Sequence, residues 1–523
     1  MKYINLTSIN PLTAFCLFSL MLIVFFASCN PTRNTTTDNI ISHLDPVIGK
    51  STNPEDTLKP GNYTGVINSQ NNNNSLKIDT LIWCDTLQET EFIFLVVCFE
   101  KIGNNKIKAD TVEIIDLNKN TILPITEIDS SVNLKLAYKV VVIMPFMSNG
   151  YVPTATKEIP SKSIKAVEFY EGVLIALDSL KAEGISLFVD VFDSQRDTAV
   201  VIELLQKREL KEADLIIGPV ASDVIQIVAE YAKETKKPLI SPFNTRPDLT
   251  TNNPYYIQVN PSFEVHSDYI VEHIHQIERD KDIIREPLEK NLLILAVKED
   301  SLRVGMLQKS YSAYKNDTSA KIQEIIMSSP TVDIDTVQPF FKKDELNIIV
   351  VPSYRNEGFI YNSMREIQKL VDKVEPKKGY QIVVVGMDRW RYYTRVNFEY
   401  FESLNLHFSS PYFTNNQSSI VRKFRNDYKT VYGIGSREFG FVGFDVMLYF
   451  GRMINKYGVN FPAHLWKESA QYRHTRFQVE PSFEPLMPLD SGDIQPDQKL
   501  FRSYENKYLN FLKFEKYKLN KLN

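Results

Sequence analysis

The chain has 523 residues, 43% of them hydrophobic and 24% charged, and its 60 Lys and Arg stand against 64 Asp and Glu for a formal net charge of -4. That length exceeds a single core at the ~100–200 residues typical of a domain, so two or three domains are expected. With no basic excess to make phosphate contacts, the composition excludes a nucleic-acid binder.

At the N-terminus, Leu12 to Phe26 form an apolar run preceded by Lys2 and followed by Ala27, Ser28 and Cys29. The run is shorter than the ~20 residues of a membrane span and reads as a secretory signal, residues 1–28. An uncleaved signal anchor is the alternative. A cysteine just after small residues resembles the lipobox of bacterial lipoproteins, which implies cleavage before Cys29, lipidation of its thiol and attachment to a membrane. Either way the body lies outside the cytoplasm. Export leaves Cys84 and Cys98, which flank a hairpin pattern in an oxidising compartment; they can pair as a disulfide or remain two buried thiols.

Residues 29–75 are rich in Asn, Thr, Ser, Pro and Gly and include the tetrad Asn71 to Asn74. Such a stretch cannot bury enough apolar surface to offset its ordering entropy and is expected to be a disordered tether. Residues 76–137 carry Val, Ile and Thr in strand patterns without helical periodicity, which predicts a small β-rich segment.

The main body starts at Tyr138 with the strand YKVVVIMPF. The run from Ser161 to Lys181 follows, with Ile164, Val167, Val173, Leu174, Leu177 and Leu180 on a helical stripe. A strand ending near Asp193, a third ending at Gly218-Pro219 and a fourth ending at Ser241 continue the pattern, with a helix over 223–234. Alternation of this kind specifies a parallel α/β sheet. It restarts at NLLILAVKED and runs through LNIIVVPSY and YQIVVVGMD, which implies a second sheet of the same kind. A long helix pair after LHFSSPYFTNN is expected to return to the first lobe. The C-terminal strands from Gln498 are expected to close the second.

The order of these elements, with Met144-Pro145-Phe146, DLIIGP at Asp214 to Pro219, Ser241-Pro242, Tyr354, Gly386-Met387-Asp388 and Gly443-Phe444-Asp445, resembles the type I periplasmic binding protein superfamily, which includes the branched-chain amino acid binding proteins. The resemblance runs from about Tyr138 to the C-terminus. It implies two doubly wound, three-layer α/β/α lobes joined by a multi-strand hinge: 138–262 with 409–460, and 263–408 with 461–523. The hinge is expected near Asn260–Glu264 and Leu406–Pro411. The run SIKAVEFYEGVLIALDSLKAEG is further similar to lipoproteins of the Bacteroidota lineage, several of which carry lysin-motif repeats; the tether stands in that place here. Sorting patterns of such lipoproteins, with no acidic residue directly after Cys29, imply a lipid anchor in the cell envelope on the periplasmic face of the outer membrane.

In open α/β sheets, ligands bind outside the carboxyl ends of the strands. Ser222 is placed to cap the following helix, to present N–H groups to an anion, or both. By the resemblance, its loop grips a ligand carboxylate, while Ser241, Asn244 and Thr245 add polar contacts; plain turn chemistry also accounts for these three. Across the cleft, the resemblance makes Tyr354 an aromatic wall and Asp388 the partner of an α-amino group, although Asp388 also suits a turn. The basic run Arg389-Trp390-Arg391 departs from the amino-acid binders and either narrows the cleft or suits a more acidic ligand.

Catalytic motifs are missing. The sequence has no G-x-G-x-x-G after the first strand and no G-x-S-x-G elbow. His273 and His275, two apart on a helix, point to different faces and read as solvated surface, not metal ligands. No enzyme, cofactor or metal is expected. Two functions fit. One is a tethered protein that closes on a small polar ligand, an amino acid or peptide, as a solute-binding partner of an ABC permease or as a sensor. The other is a ligand-free scaffold that regulates a peptidoglycan synthase by contact.

Overall fold

The computed structural model describes residues 82–90, 93–102, 106–116, 121–125, 134–150, 159–277, 289–372, 380–485 and 499–522. The signal segment, Cys29 and the tether lie outside the described residues, as do the side chains of Cys84 and Cys98. The chain divides into units Met1–Gly61 and Asn62–Asn523, and everything described belongs to the second.

Four strands open this unit: β1 (Ile82–Thr90), β2 (Ile93–Ile102), β3 (Lys106–Asp116) and β4 (Thr121–Ile125). They form an antiparallel sheet in chain order, with Cys84 in register opposite Cys98.

Strands β5 (Tyr138–Met144), β6 (Leu187–Asp193), β7 (Leu215–Ile217), β8 (Leu239–Ser241) and β9 (Tyr256–Gln258) build the first lobe. Helices α1 (Ile164–Ala182), α2 (Thr198–Leu205), α3 (Arg208–Glu212) and α4 (Ser222–Thr235) connect its first four strands. The five strands run parallel in the order β6-β5-β7-β8-β9. In β5, Val140, Val142 and Met144 face one apolar layer, while Val141 and Ile143 face another against α2 and α4. Period-two alternation with both faces apolar produces the three-layer lobe.

Helix α5 (Phe263–Gln276) begins the second lobe, whose strands are β10 (Lys290–Val297), β11 (Gln323–Met327), β12 (Leu346–Val350), β13 (Gln381–Met387) and β14 (His407–Ser410). Helices α6 (Ser301–Lys315), α7 (Ile334–Val337), α8 (Glu357–Asp372) and α9 (Phe398–Ser403) lie between these strands. The order β11-β10-β12-β13-β14 repeats that of the first lobe. Each lobe therefore has a topological switch point, between β5 and β7 and between β10 and β12.

The chain returns through α10 (Ser419–Tyr432) and α11 (Glu438–Tyr457), and α11 packs on α1 in the first lobe. Glycines let these helices approach backbone to backbone. A Cβ at Gly172 would stand 2.0 Å from the Gly440 carbonyl oxygen, and one at Gly443 would stand 1.9 Å from that of Phe169.

The C-terminus corrects the expectation that it closes the second lobe alone. After the short strands β15 (Ala470–Gln471) and β16 (Arg476–Phe477) come β17 (Val479–Pro485) and β18 (Lys499–Asn506), and β18 pairs with β9 in the first-lobe sheet. Only β19 (Asn510–Glu515) and β20 (Lys518–Lys521) join the second, against β14. The apolar alternation from Gln498 is thus two strand runs split by Lys507-Tyr508-Leu509, which cross between lobes. The chain makes three crossings: after β9, after β14 and between β18 and β19. At the first, the N–H of Ser262 donates to the buried Glu505 carboxylate at 2.6 Å.

Among the described residues no helix is long and apolar enough to cross a membrane.

Candidate functional site

The first-lobe rim is formed by the loops after β5, β7 and β8. Asp193, ending β6, accepts the backbone N–H of Met147 at 3.1 Å, Ser148 at 2.7 Å and Gln195 at 2.9 Å. Burial opposes its ionisation, but these donors outweigh burial and hold the carboxyl below its usual range. Asp193 therefore shapes the loop after β5.

After β7, Gly218 turns the chain at φ +84°, where a Cβ would stand 2.1 Å from the Ile143 carbonyl oxygen. Helix α4 begins two residues beyond Val220. Its N-cap is Ala221, not Ser222, so no side chain caps the first turn. Ser222 is the first helical residue, and its hydroxyl accepts Asn244 Nδ2 at 3.0 Å. Asn244 Oδ1 in turn accepts the Arg246 N–H at 2.8 Å. The structure thus brings Ser222 and Asn244 together. Ser241 is fully buried, and its hydroxyl has no hydrogen-bond partner among the described residues; Thr245 is exposed. Phe243 packs between Phe169 and Phe439, with ring centroids 5.5 and 5.4 Å away.

The second-lobe rim is built of charge and aromatic rings. Tyr354, after β12, lies beneath two guanidinium groups, Arg389 at 5.4 Å and Arg303 at 5.9 Å from the ring centroid. Burial, with Asp388 nearby, pushes its phenol pKa up. Asp388 opens a tight turn, Asp388–Tyr392, whose anchor is Trp390. That indole is fully buried, donates to the Ser353 carbonyl at 2.8 Å, and fills the space above Gly386, where a Cβ would stand 2.4 Å from the ring. With Trp390 fixed, Arg389 and Arg391 project from either side of it.

Asp388 Oδ2 accepts Ser410 Oγ at 2.8 Å and Arg391 Nη2 at 3.3 Å. The same Nη2 reaches Glu438 Oε2 at 2.8 Å, at the start of α11 in the first lobe, and the Tyr392 hydroxyl also donates to Glu438. Arg391 therefore ties the rims together. Burial raises the Glu438 pKa against the pull of Arg391. Arg391 Nε is buried with no hydrogen-bond partner among the described residues. The sequence offered Arg391 as a bulky cation but gave no sign of Glu438, since only the fold brings together groups so distant in the chain.

The histidines correct a second expectation. His273 is half-buried, with Nε2 3.0 Å from His407 Nδ1 and its ring stacked on Phe511 at 3.6 Å. Burial depresses both, His273 to about 4 and His407 to about 3. His275 stacks on Tyr314 at 4.2 Å. Among the described residues no three His, Cys, Asp or Glu side chains converge as a metal site.

A family model described as the receptor family ligand binding region matches residues 170–278. No curated protein matches the chain in sequence. Among solved structures, a putative branched-chain amino acid ABC transporter protein from Rhodospirillum rubrum is similar at 12% identity and a TM-score of 0.51, covering 74% of this chain and 100% of that one. A branched-chain amino acid ABC transporter periplasmic ligand-binding protein from Burkholderia xenovorans aligns at 13% identity and a TM-score of 0.49, over 74% of this chain and 94% of that one. Two sheets of parallel strands flanked by helices, in two lobes, are the type I periplasmic binding protein α/β fold.

Proposed function

We propose that the chain is a membrane-tethered extracytoplasmic lipoprotein that binds a small polar, amino-acid-like ligand between its lobes, as a solute-binding partner of an ABC permease or as a sensor. The observation that carries this reading is the uncapped head of α4, where Ser222 and Asn244 meet beside N–H groups suited to a carboxylate. Across the rims, Tyr354 supplies a wall and Asp388 an acid that an ammonium would share with Arg391 and Ser410. Ser241 and Thr245 complete the first-lobe side, Ser241 from beneath. The family model, a ligand binding region, supports the same reading. Cys29 carries the lipid, and the tether holds the body off the periplasmic face of the outer membrane.

A thermal-shift panel of amino acids and short peptides tests it. A ligand at 100 times its Kd adds ~2.7 kcal/mol to the folded state. The expected hit loses affinity in Ser222→Ala and in Asp388→Ala; a hit indifferent to both contradicts the assignment.

One observation favours the scaffold reading: Arg391 joins Asp388 to Glu438 across the lobes through the protein's own side chains. A silent panel, with recovery of a peptidoglycan synthase on the tethered protein, would select it.

The register that sets Cys84 opposite Cys98 supports a cross-strand disulfide, formed by two-electron exchange with a thiol–disulfide oxidoreductase of the envelope. Thiol titration of the denatured, unreduced mature protein is expected to find neither cysteine free; two free thiols would refute it.

A further inference from the structure

The four-stranded sheet β1–β4 has no part in the ligand cleft. Its register sorts the chain onto two faces, because residues directly opposite each other share a face. Trp83, Leu95, Val97, Phe99, Val112 and Ile114 stand together on one. The other mixes the Cys84–Cys98 pair with Thr86, Gln88, Glu100, Lys108, Thr111 and Glu113. A sheet with one apolar face is stable only when a second layer covers it. Among the described residues, no helix or strand of the lobes packs against β1–β4. Residues 29–75, rich in Asn, Thr, Ser, Pro and Gly, are too poor in apolar groups to supply the layer.

The charged positions in register on the apolar face lie at its margins and complement one another. Lys101, opposite Ile107, stands at one end of β2, and Asp116, opposite Ile93, stands at the far end of neighbouring β3. A half-turn about an axis that crosses the strands through the middle of the face carries each Lys101 end onto the Asp116 end of a second copy. Symmetry makes that pairing twice. An axis along the strands would instead set the two Asp116 ends against each other. Asp85, level with Val97 on edge strand β1, falls beside the crossing axis and meets its own counterpart there. At ~3.3 Å per residue and ~4.8 Å between strands, the face spans roughly 550 Å². Two such faces bring about 1,100 Å² together, above the ~1,000 Å² expected of a biological interface.

We propose that this face is a homodimer interface: it stacks on the same face of a second copy across the strand-reversing axis, at the ~10 Å spacing of a β-sandwich. The occupant is a second copy because the face complements itself in both area and charge. The interface precedes the two lobes in the chain, so each copy brings its own ligand cleft, and the Cys84–Cys98 pair stays on the outer face.

Sedimentation equilibrium of the full chain in density-matched detergent tests the proposal. A monomer–dimer equilibrium is expected, its Kd raised about tenfold or more by Val97→Lys and by either charge reversal, Lys101→Glu or Asp116→Lys. Combining the two reversals should restore the wild-type Kd, which a sheet that merely failed to fold would not do. Asp85→Asn should tighten the dimer, and Glu100→Lys on the other face should leave it unchanged. A monomer at every concentration overturns the proposal and assigns the face to this chain's own body or to a different protein. A dimer indifferent to both single reversals overturns it too, as does one that the double reversal fails to restore.

Discussion

The first-lobe rim is built from neutral groups and the backbone, whereas the second-lobe rim is built from charges. On the first, the head of α4 and the Ser222–Asn244 pair are set by a strand, a glycine turn and a helix, none of which needs a counter-ion. On the second, Arg391 is paired with Asp388, Arg303 with Asp300, and Arg389 and Arg303 lie over the Tyr354 ring. One rim is therefore preorganised by the fold, while the other depends on a balance of charges that a ligand, a substitution or pH can shift.

The largest effect should come from removing the anchor of the charged rim. Trp390→Ala empties a fully buried site and is expected to cost ~3–5 kcal/mol in chemical denaturation, with hydrogen exchange rising in the second lobe before the first. Equal loosening of both lobes would show that the rims are not independently supported.

Next is the frame of the neutral rim. Gly443→Ala pushes a methyl into the Phe169 carbonyl and should cost ~1–3 kcal/mol, felt first in the first lobe. Glu438→Gln leaves Arg391 with Asp388 alone and should cost ~1–2 kcal/mol, since the pair is only partly exposed, while increasing the radius of gyration in small-angle scattering. An unchanged radius would mean that this pair does not hold the lobes together.

Acid should act more gently. His273 and His407 have folded pKa values depressed from 6.5 to about 4 and about 3, so the unfolded chain binds protons that the folded one refuses. Their stabilisation is present above pH 6.5 and is lost as pH falls through 6.5 towards those values. Hydrogen exchange at falling pH should show the strands near β14 losing protection; protection retained there contradicts this. Smallest in stability is Ser222→Ala, ~0.5–1.5 kcal/mol for one neutral hydrogen bond, with its main effect on ligand affinity.

The doubled sheet was legible because β5, β10, β12 and β13 are runs of Val, Ile and Leu buried on both faces, punctuated by polar loops. Strand β9 was not: its Tyr256-Ile257-Gln258 is too short to show period two and sits between Pro254 and Pro261. Edge strand β11 has Glu324 and Ile326 exposed and lacks the continuous apolar signature. The strand ends marked Ser222 and Asp388, but their partners, Asn244 for one and Arg391 with Glu438 for the other, are set by tertiary geometry. The His273–His407 contact joins α5 to β14, a pairing that helical spacing alone cannot reveal.

Calorimetric titration of the full chain with free amino acids, on the wild type, Ser222→Ala and Asp388→Ala, tests the central claim most directly. The account predicts a saturable ligand whose affinity falls about tenfold or more in each variant, because the two rims grip its opposite ends. Saturable binding that neither substitution weakens, or no binding by a folded protein across the whole set, would contradict it.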